Sequence, residues 1–129
     1  PRVRYLGVLP SEEIARLRAG ATVLVNPRKN EGEYTKFSFP SKMMEYLASG
    51  VPTVAYKLDG MPDDYEGLFI DAARDGLGAA IERALRMGPE EIAYLTARAR
   101  TFVLEEKCPE RQCEKTLELL RKEAETNAR

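Results

Sequence analysis

Histidine is absent from all 129 residues, and cysteine occurs only twice. Without imidazole the chain has no histidine general base, no Ser-His or Cys-His nucleophile pair and no histidine-ligated metal site. Neither sign of charge is in excess: 20 Lys and Arg stand against 21 Asp and Glu, a formal net charge of −1. That balance offers no basic footprint for nucleic acid and no polybasic surface for anionic lipid. Long apolar runs are missing too. The longest aliphatic stretch, Ala21-Thr22-Val23-Leu24-Val25, falls far below the roughly 18 residues that a spanning helix needs, and no signal-peptide apolar region occurs. What is present, 43% hydrophobic and 32% charged residues, suits one globular domain rather than disorder.

Cys108 and Cys113 flank Pro109, and nothing near them could complete a four-ligand zinc site. They read as two free thiols in a reducing compartment. The chain opens on Pro1 and enters a strand-like pattern at once, so a piece of something longer is expected.

Strand-like and helix-like segments alternate. Val3 to Leu6 reads as a short strand closed by Gly7 and Pro10; Ser11 is expected to cap the helix that follows, with Glu12 and Glu13 in its first turn. Gly20 stops that helix. Thr22 to Val25 is a continuous β-branched and aliphatic run, the mark of a strand buried on both faces of a parallel sheet. After a polar loop, Ser41 to Ser49 reads as a helix ended by Gly50 and Pro52. Thr53 to Tyr56 is a third strand and Leu68 to Ile70 a short fourth. Helical stripes then follow at Leu77, Ala80, Ile81, Ala84 and Leu85, at Ile92, Leu95, Ala99 and Phe102, and at Cys113, Leu117, Leu120 and Ala124. The expected fold is α/β, about four short strands of a doubly wound parallel sheet followed by C-terminal helices. Ligands of such sheets bind at the carboxyl ends of the strands. The long loops Asn26 to Pro40 and Lys57 to Gly67 hold that position here.

The chemistry concentrates where the first of these loops enters its helix. Free backbone N–H groups at Phe39, Ser41 and Lys42, with the Ser41 hydroxyl and the Lys42 ammonium, would make an anion site, and Glu45 shares their face one turn on. A carboxylate so placed suits ribose hydroxyls better than phosphate. From these residues alone, an N-capping Ser41 and a helical Lys42–Glu45 ion pair are the plainer reading. Arg28, opening the loop, reads equally as a phosphate ligand or a solvated side chain. Asp63 and Asp64 follow Pro62, where acids favour a helix start, and are not taken as a metal pair. Tyr5, Tyr46 and Tyr94 read as core-edge residues, and Arg98 and Arg100 as a solvated helix face.

The wider string tips the balance. Val25-Asn-Pro-Arg28, then Tyr34 through Phe39-Pro-Ser-Lys-Met-Met-Glu45 to Val54, resembles the nucleotide-sugar-binding part of group 1 (family 4) glycosyltransferases, most of all the branch making capsular and exopolysaccharides. Arg4 to Gly7 with Pro10 to Glu13, Gly60-Met61-Pro62 with Asp64-Tyr65, and Ala99 to Val103 are similar to flanking parts of the same family.

The resemblance implies a GT-B fold, two Rossmann-like domains facing across a cleft, with this chain as a partial C-terminal donor domain. Its Rossmann-like part would span about 1–88 and its C-terminal helices about 89–125. It implies a donor site at Arg28, Phe39, Ser41, Lys42 and Glu45, with Glu45 on the ribose and Phe39, Ser41 and Lys42 near the diphosphate. The family's earlier acidic position falls on Phe37, and Glu31 is out of register with it. The diphosphate-clamping cations and the acceptor-side catalytic groups would lie upstream of Pro1. No metal and no cofactor beyond the nucleotide-diphosphate sugar is implied. The whole enzyme would pass a sugar to a saccharide or lipid-linked acceptor, in the cytoplasm or peripherally at the inner membrane face. A nucleotide-sugar epimerase of the same fold and a non-enzymatic doubly wound module are the rivals; Phe39-Pro-Ser-Lys after Asn26-Pro-Arg speaks against the first. Asn26 and Lys57, where a receiver would put acids, speak against a receiver-type module.

Overall fold

A computed structural model describes residues 2–127. Its centre is a parallel sheet of three strands in the order β1 (Leu24–Asn26), β2 (Thr53–Ala55), β3 (Ile70–Asp71), in register Leu24 to Thr53 and Val54 to Ile70. Around it come α1 (Ser11–Ala19), α2 (Lys42–Ala48), α3 (Leu77–Arg86), α4 (Pro89–Thr101) and α5 (Pro109–Asn127). A five-residue π-helical stretch, Phe102–Glu106, joins α4 to the turn before α5.

The sheet is covered on both faces, as parallel strands require. Alternation along β2 makes the division. Ala55 faces α2 and α4, where Met43, Leu47, Met61, Tyr65, Leu68, Phe69 and Ala99 close one buried cluster. Val54 faces α3, where Ala72, Ala80 and Ala84 close the other, with Val23, Val25 and Ile81 half-buried around it. This is a partial Rossmann-like α/β architecture. Among the described residues no helix is long and apolar enough to cross a membrane.

Several boundaries follow from backbone chemistry. Gly50 takes φ 78° just past α2, a left-handed conformation that glycine adopts without penalty. Pro89 opens α4, where its missing N–H is not needed.

Several expectations meet a different outcome. Val3 to Leu6 is not a strand: nothing in the described residues lies beside it to accept its hydrogen bonds, and Val3 and Tyr5 are 85% and 90% exposed. The sheet therefore has three strands rather than four, and Tyr5 is no core-edge residue. Ser11 is the first helical residue rather than the cap of α1. Pro10, extended at ψ 147°, occupies the cap and its carbonyl accepts from the N–H groups of Glu13 and Ile14 at 3.0 and 3.1 Å. The stripe of α5 forms but stays uncovered; no residue of that helix is buried. The last strand is also displaced, starting at Ile70 because Leu68 and Phe69 turn into the core before pairing begins.

Candidate functional site

The loops after β1 and β2 lie against each other at the carboxyl end of the sheet. Asn30 and Asp59 bond reciprocally, the Asn30 amide donating to Asp59 Oδ1 at 2.6 Å and the Asp59 N–H donating to Asn30 Oδ1 at 3.1 Å. The Gly60 N–H donates to the Thr35 carbonyl at 2.9 Å. Gly60 is required there, because a Cβ would sit 2.7 Å from that oxygen. Buried Thr35 turns its own hydroxyl to the Gly32 carbonyl, closing the 3-10 turn Glu33–Lys36. A long loop that was readable only as polar is thus pinned at three points.

Arg28 belongs to this bracing. Its guanidinium donates to Ser38 Oγ at 2.8 Å, spanning the mouth of the loop, and lies 5.3 Å from the centre of the Tyr34 ring. It meets none of the other expected site residues. Phe39 turns its ring inward, 5.0 Å from that of Tyr65. The N–H groups of Phe39, Ser41 and Lys42 have no acceptor among the described residues, while those of Met43 and Met44 turn back to Pro40 and Ser41. Ser41 stands at the cap of α2 in helical conformation, and its hydroxyl makes no capping bond. The capping role is corrected accordingly: with ψ −31° its oxygen cannot swing to the N–H groups ahead.

Lys42 and Glu45 open into one cleft of about 440 Å³ between α1 and α2, with Ser11, Ile14, Arg18 and Tyr46 forming the rest of its lining. Ser41 lies outside it. The partner of Glu45 is Arg18, which reaches across from the last turn of α1 and donates to Oε2. The Lys42–Glu45 ion pair is thereby replaced by one between helices. Met43 and Leu47, on the opposite side of α2, are buried and fix the helix on the sheet. The cleft holds two cations, one carboxylate, the hydroxyls of Ser11 and Tyr46, and an aromatic-aliphatic wall. Such a set can meet a phosphate, a sugar diol and a flat ring together. Arg18, Ser11, Ile14 and Tyr46 carry no local signal as site residues; Tyr46 follows Glu45 on α2, and only the placement of α1 beside α2 brings in the other three.

The acids that follow Pro62 are engaged elsewhere. Asp63 accepts from Lys57 Nζ at 2.8 Å; that hydrogen bond holds the carboxyl below its ordinary pKa and the ammonium above its own. Asp64 accepts from Lys107 Nζ at 2.8 Å, and the same ammonium sits 5.0 Å from the ring centres of Tyr65 and Phe102. Burial, with the Asp64 charge second, pushes the Tyr65 hydroxyl up to about 12. A second groove, of about 490 Å³, lies between α3 and α4 and includes Arg83, Arg86 and Arg98. Its charge is compensated: Arg83 pairs with Asp75, Arg86 with Glu82 at 3.3 Å, and Glu91 lines the same wall.

No curated protein and no solved structure matches this sequence. The family described as "Glycosyl transferases group 1" matches residues 1–87, the stretch that contains the sheet, both pinned loops and the cleft between α1 and α2. This chain belongs to the group 1 glycosyl transferases.

Proposed function

We propose that this chain is the nucleotide-sugar-binding part of a GT-B glycosyltransferase, and that the cleft between α1 and α2 takes the nucleoside diphosphate of the donor. The observation that carries the reading is the meeting of Lys42 and Glu45 in one open cleft at the start of a helix that follows a sheet strand. Glu45 would accept hydrogen bonds from the ribose hydroxyls. Lys42, with the unpaired N–H groups of Phe39 and Ser41, would face the diphosphate. Arg28 would act on the diphosphate through the loop it braces. Catalysis would be electrostatic, cationic groups stabilising charge that develops on the leaving diphosphate.

The resemblance of Val25 to Val54 to capsular and exopolysaccharide enzymes supports a saccharide or lipid-linked acceptor, met through a facing domain outside these 129 residues. It also supports a place in polysaccharide biosynthesis, in the cytoplasm or at the inner membrane face. Residues 1–88 would form the Rossmann-like part and 89–125 the appended helices.

Calorimetric titration with nucleoside diphosphates tests the site. Glu45→Gln keeps size and removes charge, and a charge-assisted bond is worth roughly 1.5–3 kcal/mol, so affinity should fall tenfold or more. Equal affinity of Glu45→Gln and the parent for every nucleotide would remove Glu45 from the site. A sugar transferred by these 129 residues alone would overturn the division of labour between two domains.

A further inference from the structure

Resting on the donor-site reading above, we infer that Arg18 is a positioning residue for Glu45, fixing the carboxylate that recognises the ribose and so setting the preference for a sugar bearing hydroxyls. The two partners of this ion pair are unequal. The Arg18 side chain is 20% exposed and that of Glu45 is 58% exposed. The guanidinium is the sunken member, held between α1 and α2, and the carboxylate is the open one, facing the cleft. One Glu45 oxygen takes the bond from Arg18. An ionised carboxylate has about four acceptor positions, so capacity remains for a diol.

The physical need is clear. A glutamate on the surface of a short helix samples several rotamers, and freezing them on ligand binding opposes affinity. Anchoring one oxygen beforehand removes that opposition. Arginine suits the task better than lysine, because its rigid planar fork fixes direction as well as distance. Its place in the last turn of α1 also sets a cation against the negative end of the helix dipole. Stability is a poor reason for the pair, since an ion pair with one open member contributes little. Lys42, the other cation of the cleft, stays free for an anion; among the described residues it makes no ion pair.

The test measures a ratio. UDP, GDP, ADP and CDP, each with its 2′,3′-dideoxy counterpart, are titrated into the full-length chain and into Arg18→Ala, Arg18→Lys, Glu45→Gln and the Arg18→Ala/Glu45→Gln double variant. A ratio of ribo to dideoxy affinity is insensitive to any fraction of protein that has failed to fold. Arg18→Ala should lower that ratio by about two- to tenfold, the equivalent of one net hydrogen bond. Arg18→Lys should restore part of it, and in the Glu45→Gln background Arg18→Ala should change nothing further. If Glu45→Gln flattens the ratio while Arg18→Ala leaves it intact, the donor site stands and the role of Arg18 is overturned. Equal losses for ribo and dideoxy ligands in Arg18→Ala also overturn it, because they place Arg18 on another part of the nucleotide. No effect of Glu45→Gln on the ratio, or no binding of any of the four by the parent, overturns the donor-site reading itself.

Discussion

Helices α2 and α5 both carry an apolar stripe at helical spacing, yet they are held by opposite means. The stripe of α2, seven residues long, disappears into the molecule: Met43 is fully buried and Leu47 is 2% exposed, packed on Ala55 and beneath α4. The stripe of α5, nineteen residues long, stays in solvent, with Leu117 and Leu120 at 52% and 61% exposure. A seven-residue helix cannot sustain itself in water, so tertiary packing makes α2. Length and local bonds make α5. Its start is tied down by Gln112, whose amide donates to the Glu106 carbonyl at 2.7 Å, and by Arg111, which pairs with Glu114 at 3.0 Å. The lesson is that periodicity announces a helix and is silent on whether anything covers it. The candidate cleft takes Lys42 and Glu45 from the packed kind, where a side chain can be held to a direction, and its other wall from α1, which buries no residue.

The contrast is broken most directly at its buried end. Leu47→Ala should destabilise the chain by about 2–5 kcal/mol, the transfer loss plus the cavity left under α2. Urea unfolding measures it, and a loss below about 1 kcal/mol would mean that α2 is not clamped as described. Gly60→Ala comes next. The new methyl would meet the Thr35 carbonyl at 2.7 Å, so the loops after β1 and β2 must part and lose the bond between them. Overpacking of this kind typically costs about 1–3 kcal/mol. Because the first of these loops leads directly into α2, which carries Lys42 and Glu45, nucleotide affinity should weaken along with stability; unaltered stability would show that the loops are not pressed together.

How much of this is legible in the sequence differs by element. Local chemistry suffices for α3 and α4: Gly76 precedes the first, and Gly88-Pro89 separates the two where a proline can begin a helix and not continue one. It suffices also for β2, whose unbroken aliphatic run demands cover on both faces. It misplaces β1: the strand is Leu24–Asn26 rather than Thr22 to Val25, because its pairing with β2 runs from Leu24 opposite Thr53 to Asn26 opposite Ala55. As an edge strand it buries only Leu24. It fails for Val3 to Leu6, which has a strand's composition and no strand beside it, since pairing is a property of the neighbour as much as of the segment. At the candidate site, the three-residue spacing that puts Lys42 and Glu45 on one face is readable. Arg18, 27 residues away on another helix, is not. Arg28 is visible as a cation near the loop, but its engagement with Ser38 and Tyr34 depends on how the loop closes.

Tyr65 sharpens the comparison from inside the core. Its ring lies between Phe39 at 5.0 Å and Phe102 at 4.9 Å, and its hydroxyl meets Met44 Sδ at 3.1 Å, so it joins α2 to the end of α4. Burial raises its pKa from 10 to about 12. The folded state therefore holds the phenolic proton more tightly than the unfolded chain does. This contribution is complete below pH 10 and is lost as pH rises through 12. Denaturant midpoints taken across that interval should fall for the parent, and fall less steeply for Tyr65→Phe, which has no proton to lose. Parallel curves would place Tyr65 in a wetter setting than the packing of α2 implies.

The smallest effect is expected at the other pole of the contrast. Leu120→Ala removes the same side chain as Leu47→Ala, from a position that is 61% exposed. Little transfer free energy is forfeited and no cavity is made, while alanine is the better helix former. Stability should change by no more than about 0.5 kcal/mol in either direction. Hydrogen exchange supplies the companion measurement. Amides of α5 should open locally, well before those of β2 and α2, whose exchange should follow global unfolding. A Leu120→Ala loss as large as that of Leu47→Ala, or α5 amides protected as strongly as those of β2, would show that the uncovered stripe has found a surface to lie on in solution. The difference between α2 and α5 would then be one of partner rather than of kind.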